Sequence, residues 1–277
     1  MHAVRNYILF PSLLLFNFSC SNPTTVQKNS SLSSLNPERI KTITPDIQIG
    51  LNIVKEDIYL TCGKIATYLL TEQSSNDRSF SEQMEYCDNI VSDWTYHLGT
   101  LSKTVLSILK TVDSGRLNYK FIATKESINR SALNLGLDNK AFTKMVSAYE
   151  ISKKRKYRFD EFSGCLSQSI PTALNSLSKW IQKNYESDTL IEYRTLMSNS
   201  YTTQIDSVMR RISSFFPKND DEKEQLRQLE SRLTQLRSEF NAEFTAVSQK
   251  IRETYTLTSS LEQISSYFSD ISSIQCH

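Results

Sequence analysis

The sequence predicts an all-α protein, an elongated bundle of long antiparallel amphipathic helices with coiled-coil-like packing. The chain has only 6 Gly and 6 Pro in 277 residues, which argues against the many tight turns of an all-β protein. Pro171 is the only proline between residues 46 and 216, so helices can run long there. Apolar residues recur at alternating spacings of three and four, as helix packing requires.

The cysteines divide the bundle into two hairpins. The midpoint of Cys62 and Cys87 falls in the polar break 74–77, and that of Cys165 and Cys276 falls in the break 217–221. Residues equidistant from the turn of an antiparallel hairpin face each other, which brings cysteines within disulfide reach. We therefore predict the disulfides Cys62–Cys87 and Cys165–Cys276, in hairpins that span 44–115 and 159–277.

The N-terminus has the features of an export signal over residues 1–19. Arg5 precedes an apolar run from Tyr7 to Phe18, which is too short to span a bilayer. Residues 20–43 are rich in Ser, Asn, Thr and Pro and predict a flexible tether.

The end of the signal segment, Asn17-Phe18-Ser19-Cys20, resembles the lipobox of bacterial lipoproteins. The resemblance implies that Cys20 is lipidated and anchors the chain to a membrane of the cell envelope. Ordinary cleavage after Ser21 and an uncleaved anchor are the alternatives. Either cleavage leaves four cysteines, an even number that suits an oxidising compartment.

The first hairpin begins at Thr44, whose hydroxyl is placed to cap a helix with Pro45 at its first position. The apolar stripe of this helix is Leu51, Val54, Ile58, Cys62, Ile65 and Leu69. A capping box at Ser79–Glu82 starts the second helix, and Gly115 is placed to end it. Its heptad seam is Phe80, Met84, Cys87, Val91, Trp94, Leu98, Leu101, Val105, Ile108 and Val112.

Between residues 116 and 158, the sequence predicts short helices and a basic connector. Asp138 is placed to cap a helix that carries Ala141, Phe142, Met145, Val146 and Tyr149. The run that follows contains Lys153, Lys154, Arg155, Lys156 and Arg158. It is a candidate patch for an anionic lipid headgroup, a glycosaminoglycan or an acidic protein surface. The alternative is a solvated helix C-terminus, where cations offset the helix dipole.

In the second hairpin, the sequence predicts one helix from Asp160 to Tyr185, kinked at Pro171, and another from Asp188 to Phe216. Apolar positions on these two helices include Phe162, Leu174, Leu177, Ile181, Ile191, Tyr201, Ile205, Val208, Ile212 and Phe215. A last helix starts near Asp220. Its seam is Leu226, Leu229, Leu233, Leu236, Phe240, Phe244, Val247 and Ile251, and the step from Phe240 to Phe244 is a stutter.

Chemical signatures are sparse. Asp93 and His97 are one helical turn apart and form a candidate base or weak metal site, or a polar pair on a helix face. Cys276-His277 is too small a ligand set to predict a metal, and no cofactor motif occurs. Trp94 and Trp180 are expected in the core. With 32 basic and 30 acidic residues, the chain is not expected to bind nucleic acid.

These observations predict a non-enzymatic binding or scaffold protein of a bacterial envelope, held to a membrane by lipid and contacting an unidentified protein. A membrane-active, pore-forming helical protein and a hydrolase with an unrecognised site are the alternatives.

Lipidation of Cys20 is the first testable prediction. We expect wild-type chain, expressed in a bacterial host and fed a fatty-acid analogue, to take up label, because the thiol of Cys20 follows the apolar segment directly. Cys20→Ala should lose the label, whereas Cys62→Ala should keep it. Equal labelling of wild type and Cys20→Ala contradicts the prediction.

Overall fold

The structure is a computed structural model that describes residues 37–72, 77–113, 123–155, 166–167 and 169–270. All regular elements in these ranges are helical, which confirms the all-α prediction. The α-helices are α1 (Pro37–Glu72), α2 (Asp77–Tyr86), α3 (Ser92–Asp113), α4 (Lys125–Asn134), α5 (Asn139–Arg155), α6 (Ile170–Trp180), α7 (Glu192–Ser214) and α8 (Asp220–Asp270). Two π-helical segments, Cys87–Val91 and Ile181–Ile191, join α2 to α3 and α6 to α7.

The helix α1 is the centre of the bundle. It packs against α2 and α3 of the first hairpin and against α7 and α8 of the second. The pair α4–α5 links α3 to α6, and α6 and α7 both pack along α8. One hydrophobic cluster includes residues from both hairpins, so the two hairpins share a core.

The first hairpin has the predicted packing. Cys62 and Cys87 form a disulfide with their Cα atoms 5.8 Å apart, as the midpoint argument predicted. The bridge joins residues 25 apart in sequence. Such a loop is worth about 3 kcal/mol in the chain-entropy account. Predicted seam residues that are buried on the two helices are Leu51, Val54, Ile58, Ile65, Val91, Leu98, Leu101, Val105 and Ile108.

The first helix begins at Pro37, so the predicted start at Thr44 is wrong. The Thr44 hydroxyl donates to the carbonyl of Ile40 at 2.8 Å instead of capping a helix end. Pro45 lies inside the helix. Ile40 is 1% exposed, which extends the apolar stripe into residues that the sequence assigned to the tether, and Ile47 in the following turns is fully buried. Burial of this stripe outweighs the hydrogen bond that proline cannot donate.

The connector contains two short helices, of which the sequence analysis located one. The Asp138 carboxylate accepts from the backbone N–H of Ala141 at 3.0 Å, which confirms the predicted cap of α5. The five predicted core residues of α5 are buried. The position of helix α4 was not predicted. Thr124 caps it by accepting from the N–H of Ser127, and Ile128 is fully buried.

Two predicted boundaries differ from the structure. The helix α2 begins at Asp77, two residues before the predicted capping box. Pro171 lies in the first turn of α6, where its missing N–H costs nothing, so it does not kink the helix.

The predicted break near residue 186 is also wrong. The chain continues through the π-helical segment Ile181–Ile191 into α7. The wider π turn buries Tyr185, Thr189 and Leu190. Ile191, which was predicted on the apolar stripe, is 38% exposed.

The helices α7 and α8 form the second hairpin, with a turn at 215–219 that matches the predicted break. The 51 residues of α8 correspond to a length of about 77 Å. The helix α8 runs antiparallel to α1, because Asp57 pairs with Lys250 and Gly50 lies against Leu257. This register places the start of α1 and the tip of the α7–α8 hairpin at opposite ends of the bundle.

An aromatic cluster joins the two hairpins. The Trp94 ring lies edge-on to that of Trp180, with centroids 5.3 Å apart, and Tyr86 lies edge-on to Trp94 at 6.0 Å. Trp180 is 7% exposed, as predicted for a core residue, whereas Trp94 is only partly buried.

Trp180→Ala is therefore expected to destabilise the protein more than Trp94→Ala. We expect Trp180→Ala to lower the free energy of unfolding by about 3–5 kcal/mol, because it opens a cavity between the hairpins. Tyr96→Ala is the matched control, because Tyr96 is 67% exposed on the same helix as Trp94. Urea unfolding measures the three variants. Equal midpoints for Trp180→Ala and Tyr96→Ala contradict the packing described here.

Candidate functional site

Asp57 is a carboxylate buried where α1 meets the rest of the bundle, with its side chain 12% exposed. It accepts hydrogen bonds from the hydroxyls of Thr61 at 2.8 Å and Tyr185 at 2.7 Å, and it forms an ion pair with Lys250. A buried carboxylate is costly unless it is neutralised and hydrogen-bonded. These partners therefore fix α1 against the Ile181–Ile191 segment and α8.

Glu243 is a second carboxylate that several helices share, and it lies two helical turns before Lys250 on α8. Three tyrosine hydroxyls donate to it: Tyr68 at 2.9 Å, Tyr201 at 3.1 Å and Tyr193 at shorter range. Lys64 lies beside this tyrosine–carboxylate cluster, with its Nζ 5.3 Å from the centroid of the Tyr193 ring. The cluster ties the C-terminal part of α1 to both helices of the second hairpin.

The tyrosines in these clusters resist ionisation. Burial is the main cause that raises the pKa of Tyr68 and Tyr193 above the ordinary value of about 10, followed by the hydrogen bond to Glu243. Burial also raises the pKa of Tyr185, with the Asp57 charge next in importance. The phenols therefore remain protonated donors at neutral pH.

A cavity of about 280 Å³ lies next to the tyrosine–carboxylate cluster. It is lined by Lys64, Thr67, Tyr68, Ser200, Tyr201, Gln204, Glu239 and Glu243. Thr67 and Tyr68 lie close to the C-terminal end of α1. The cavity therefore lies where α1 leaves the groove between α7 and α8.

Beyond this point α7 and α8 are the only helices of the described ranges that continue, and we call residues 201–235 the arm. No residue from 201 to 235 is buried. Apolar side chains predicted on the seams remain only half-buried there, because two helices alone cannot enclose them; they are Ile205, Val208, Ile212, Leu226, Leu229 and Leu233. Leu236, at the base of the arm, is 2% exposed.

The tip of the arm carries an exposed aromatic ring. Phe216 is 80% exposed, and Met209, one and a half turns before the end of α7, is 42% exposed. Asn219 caps α8 by accepting from the N–H of Glu222 at 2.8 Å. The turn is therefore held in a defined conformation while Phe216 faces solvent.

His97 joins α3 to α4 in a polar cluster. Its Nε2 lies 3.3 Å from an Asp93 carboxylate oxygen and 2.5 Å from the side-chain nitrogen of Asn134, and its Nδ1 lies 3.1 Å from the hydroxyl of Ser131. A cavity of about 500 Å³ adjoins the cluster, with Glu126 and Arg130 on its wall.

In the Asp93–His97–Ser131 arrangement, the exposure of the acid and of the hydroxyl is the reverse of that in a nucleophilic triad. Such a triad holds its acid buried and presents its hydroxyl to substrate. Here the Asp93 side chain is 57% exposed, whereas Ser131 is 1% exposed. The hydrogen bonds instead position α4 against α3, which agrees with the polar-pair interpretation of Asp93 and His97.

The sequence-predicted site residues fall into three groups. Cys62 and Cys87 form the predicted disulfide. Lys153, Lys154 and Arg155 lie in the last turn of α5, and the structure describes only their backbone. Outside the described residues are Cys20, Cys165, Cys276, Lys156 and Arg158, so the lipidation site, the second disulfide and the rest of the basic patch stay predictions.

No group of three or more His, Cys, Asp or Glu in the described ranges could hold a metal ion. None of the described helices is long and apolar enough to cross a bilayer.

Comparisons of the chain with protein-family models, with curated proteins and with solved structures find no match.

Sequence reasoning missed Asp57, Glu243 and the exposure of Phe216. The sequence does carry a signal near Glu243, because this residue lies within the stutter between Phe240 and Phe244, where the apolar seam is interrupted. Asp57 had no such signal, because its partners on other elements, Tyr185 and Lys250, are 128 and 193 residues away in sequence.

The tyrosine–carboxylate cluster predicts a stability change at high pH. A phenol whose pKa is raised by folding stabilises the protein fully below its unfolded pKa of about 10 and loses that contribution as pH rises through the folded pKa. We expect wild-type stability to be insensitive to these groups below pH about 10 and to fall above it.

Glu243→Gln should lower the pH at which the buried tyrosines ionise, because it removes the nearby negative charge. Ultraviolet absorbance of tyrosinate follows the ionisation. The control is Glu230→Gln, which removes an exposed carboxylate from the same helix. Identical titration curves for the two variants mean that Glu243 does not govern these phenols.

Proposed function

We propose that this chain is an exported, lipid-anchored protein of a bacterial envelope that binds another protein through its arm and catalyses no reaction. The observation that carries the proposal is the arm itself, a two-helix extension without a buried residue whose tip presents the 80% exposed Phe216. Aromatic side chains, Phe among them, are enriched at protein interfaces relative to the rest of the protein surface.

The position of the arm favours contact at a distance from the membrane. The tip of the arm and Pro37 lie at opposite ends of the bundle, which α8 makes about 77 Å long. A lipid on Cys20 would attach the chain on the N-terminal side of Pro37, through the predicted tether. The bundle would then act as a rigid spacer that presents Phe216 to a partner.

The internal structure of the bundle also suits a spacer. The Cys62–Cys87 bridge and the carboxylates Asp57 and Glu243 bind α1 to its neighbours by covalent, ionic and hydrogen bonds. The polar arrangement most like a catalytic site has its hydroxyl, on Ser131, on the buried side. These features favour a binding protein over the hydrolase alternative.

Site-specific photo-crosslinking in intact cells tests the proposal. A photoreactive amino acid at the exposed arm position Gln228 should give a protein–protein adduct, whereas one at the exposed bundle position Lys103 should not. Phe216→Ser in the Gln228 background should reduce the adduct several-fold. Tyr255→Ser is the matched control, because Tyr255 is a 68% exposed aromatic on α8 outside the arm.

Two outcomes contradict the proposal. The first is an adduct of equal yield from Gln228 with and without Phe216→Ser. The second is an adduct that forms from Lys103 and not from Gln228.

A further inference from the structure

We infer that the arm binds a second copy of this chain: two arms pack side by side in opposite directions, and Phe216 of each copy enters the cavity at the base of the other arm. The inference rests on the proposed function, because it takes the arm as the contact surface. It names the partner, which the proposed function leaves open.

The first argument is the continuity of an existing interface. The helix α1 fills the groove between α7 and α8 as far as Tyr68, whose hydroxyl reaches Glu243. Past the end of α1 the same two helices continue, and the groove between them has no third helix among the described residues. Half-buried Val208 on α7 and Leu229 on α8 prolong the apolar surface that α1 covers elsewhere. A helix pair from another copy can cover it with the same kind of packing.

The second argument is charge. Near the tip, α8 carries four acids, Asp220, Asp221, Glu222 and Glu224, and one base, Lys223. Towards its base, between residues 227 and 239, it carries three arginines, Arg227, Arg232 and Arg237, and two acids, Glu230 and Glu239. In an antiparallel pair with α8 against α8, the acidic end of each copy faces the basic end of the other.

The helix α7 also separates its charges along its length, with the acid towards the base of the arm and the bases towards the tip. Asp206 lies nearer the base of the arm, and Arg210 and Arg211 lie nearer the tip. A two-fold axis across the arms puts α7 against α7 and α8 against α8 in antiparallel order. Each complementary contact then occurs twice, as in any isologous interface.

The third argument is the match between the tip and the cavity. The helical part of α7 within the arm is 201–214, which is about 21 Å long. Antiparallel arms that overlap over this length put the tip of one copy at the base of the other. Phe216 then meets the cavity of about 280 Å³ beside Tyr201, next to Phe240 and the 40% exposed Phe244. Aromatic rings favour such surroundings.

The size of the contact predicts a reversible dimer. A face about 21 Å long and two helices, or about 20 Å, wide buries on the order of 400 Å² per copy. The total of about 800 Å² falls below the roughly 1,000 Å² expected of a stable specific interface, in the range of weak and transient contacts. The dimer should therefore dissociate on dilution.

Sedimentation equilibrium of the full chain in density-matched detergent tests the inference with a charge-swap design. One variant carries Asp220→Lys and Asp221→Lys, and the other carries Arg232→Glu and Arg237→Glu. Each variant alone should dimerise at least about tenfold more weakly than wild type, because like charges then face each other twice. An equimolar mixture should regain wild-type affinity by forming the mixed dimer. A parallel pairing of α7 against α8 would not be rescued in this way.

A second comparison tests the tip. Phe216→Ser should weaken the dimer, whereas Tyr255→Ser should leave it unchanged. Helix content by circular dichroism should match wild type in all variants, because the replaced side chains are exposed and outside the core.

The results separate this inference from the proposed function. Wild-type chain that stays monomeric, or a mixture that fails to regain affinity, overturns the inference. If the arm still crosslinks to a different protein in cells, the proposed function stands with another partner. If wild type dimerises and the mixture is rescued while no arm-dependent adduct forms in cells, the inference stands and the proposed function falls.

Discussion

The rest of the structure depends on the hydrogen bonds and the ion pair that two carboxylates form at the surface where α1 meets the second hairpin. Asp57 is buried and Glu243 is partly buried, and each accepts hydrogen bonds from other helices. Removal of one donor would leave a carboxylate oxygen underpaired, so the arrangement of helices that brings all donors together is favoured. The hydrophobic seams supply most of the burial, and the carboxylates select one register among the many that apolar seams allow.

The same surface explains where the bundle stops and the arm starts. Glu243 collects hydrogen bonds from Tyr68 of α1 and from Tyr193 and Tyr201 of the second hairpin, at the point where α1 nears its end. Beyond it, no other helix of the described ranges accompanies α7 and α8, and their seams are half-buried. A continuous apolar surface of this kind is typical of interaction sites. The lack of a third helix among the described residues there links the packing of α1 to the proposed contact function.

The corrections to the sequence-based prediction share one physical cause. Helix ends and breaks were inferred from local signals, and tertiary burial overrode them. The helix that was predicted to start at Thr44 starts at Pro37, because Ile40 is buried in the core. The chain is π-helical near residue 186, where a break was predicted, because Tyr185 reaches Asp57. Local capping preferences are worth about 1 kcal/mol, whereas burying one large apolar side chain is worth about 1.5–3 kcal/mol.

The sequence alone determined the helical class, the apolar seams, the turn at 215–219, the cap at Asp138 and the pairing of Cys62 with Cys87. Each of these depends on residue type and on spacing along one helix or across one turn, which can be counted in the sequence. Only the tertiary structure decided that Asp57 meets Lys250, that three tyrosines share Glu243, and that the arm extends past α1. These features join residues far apart in the chain, and nothing in the local spacing of one helix fixes which distant helix lies beside it or where that neighbour ends.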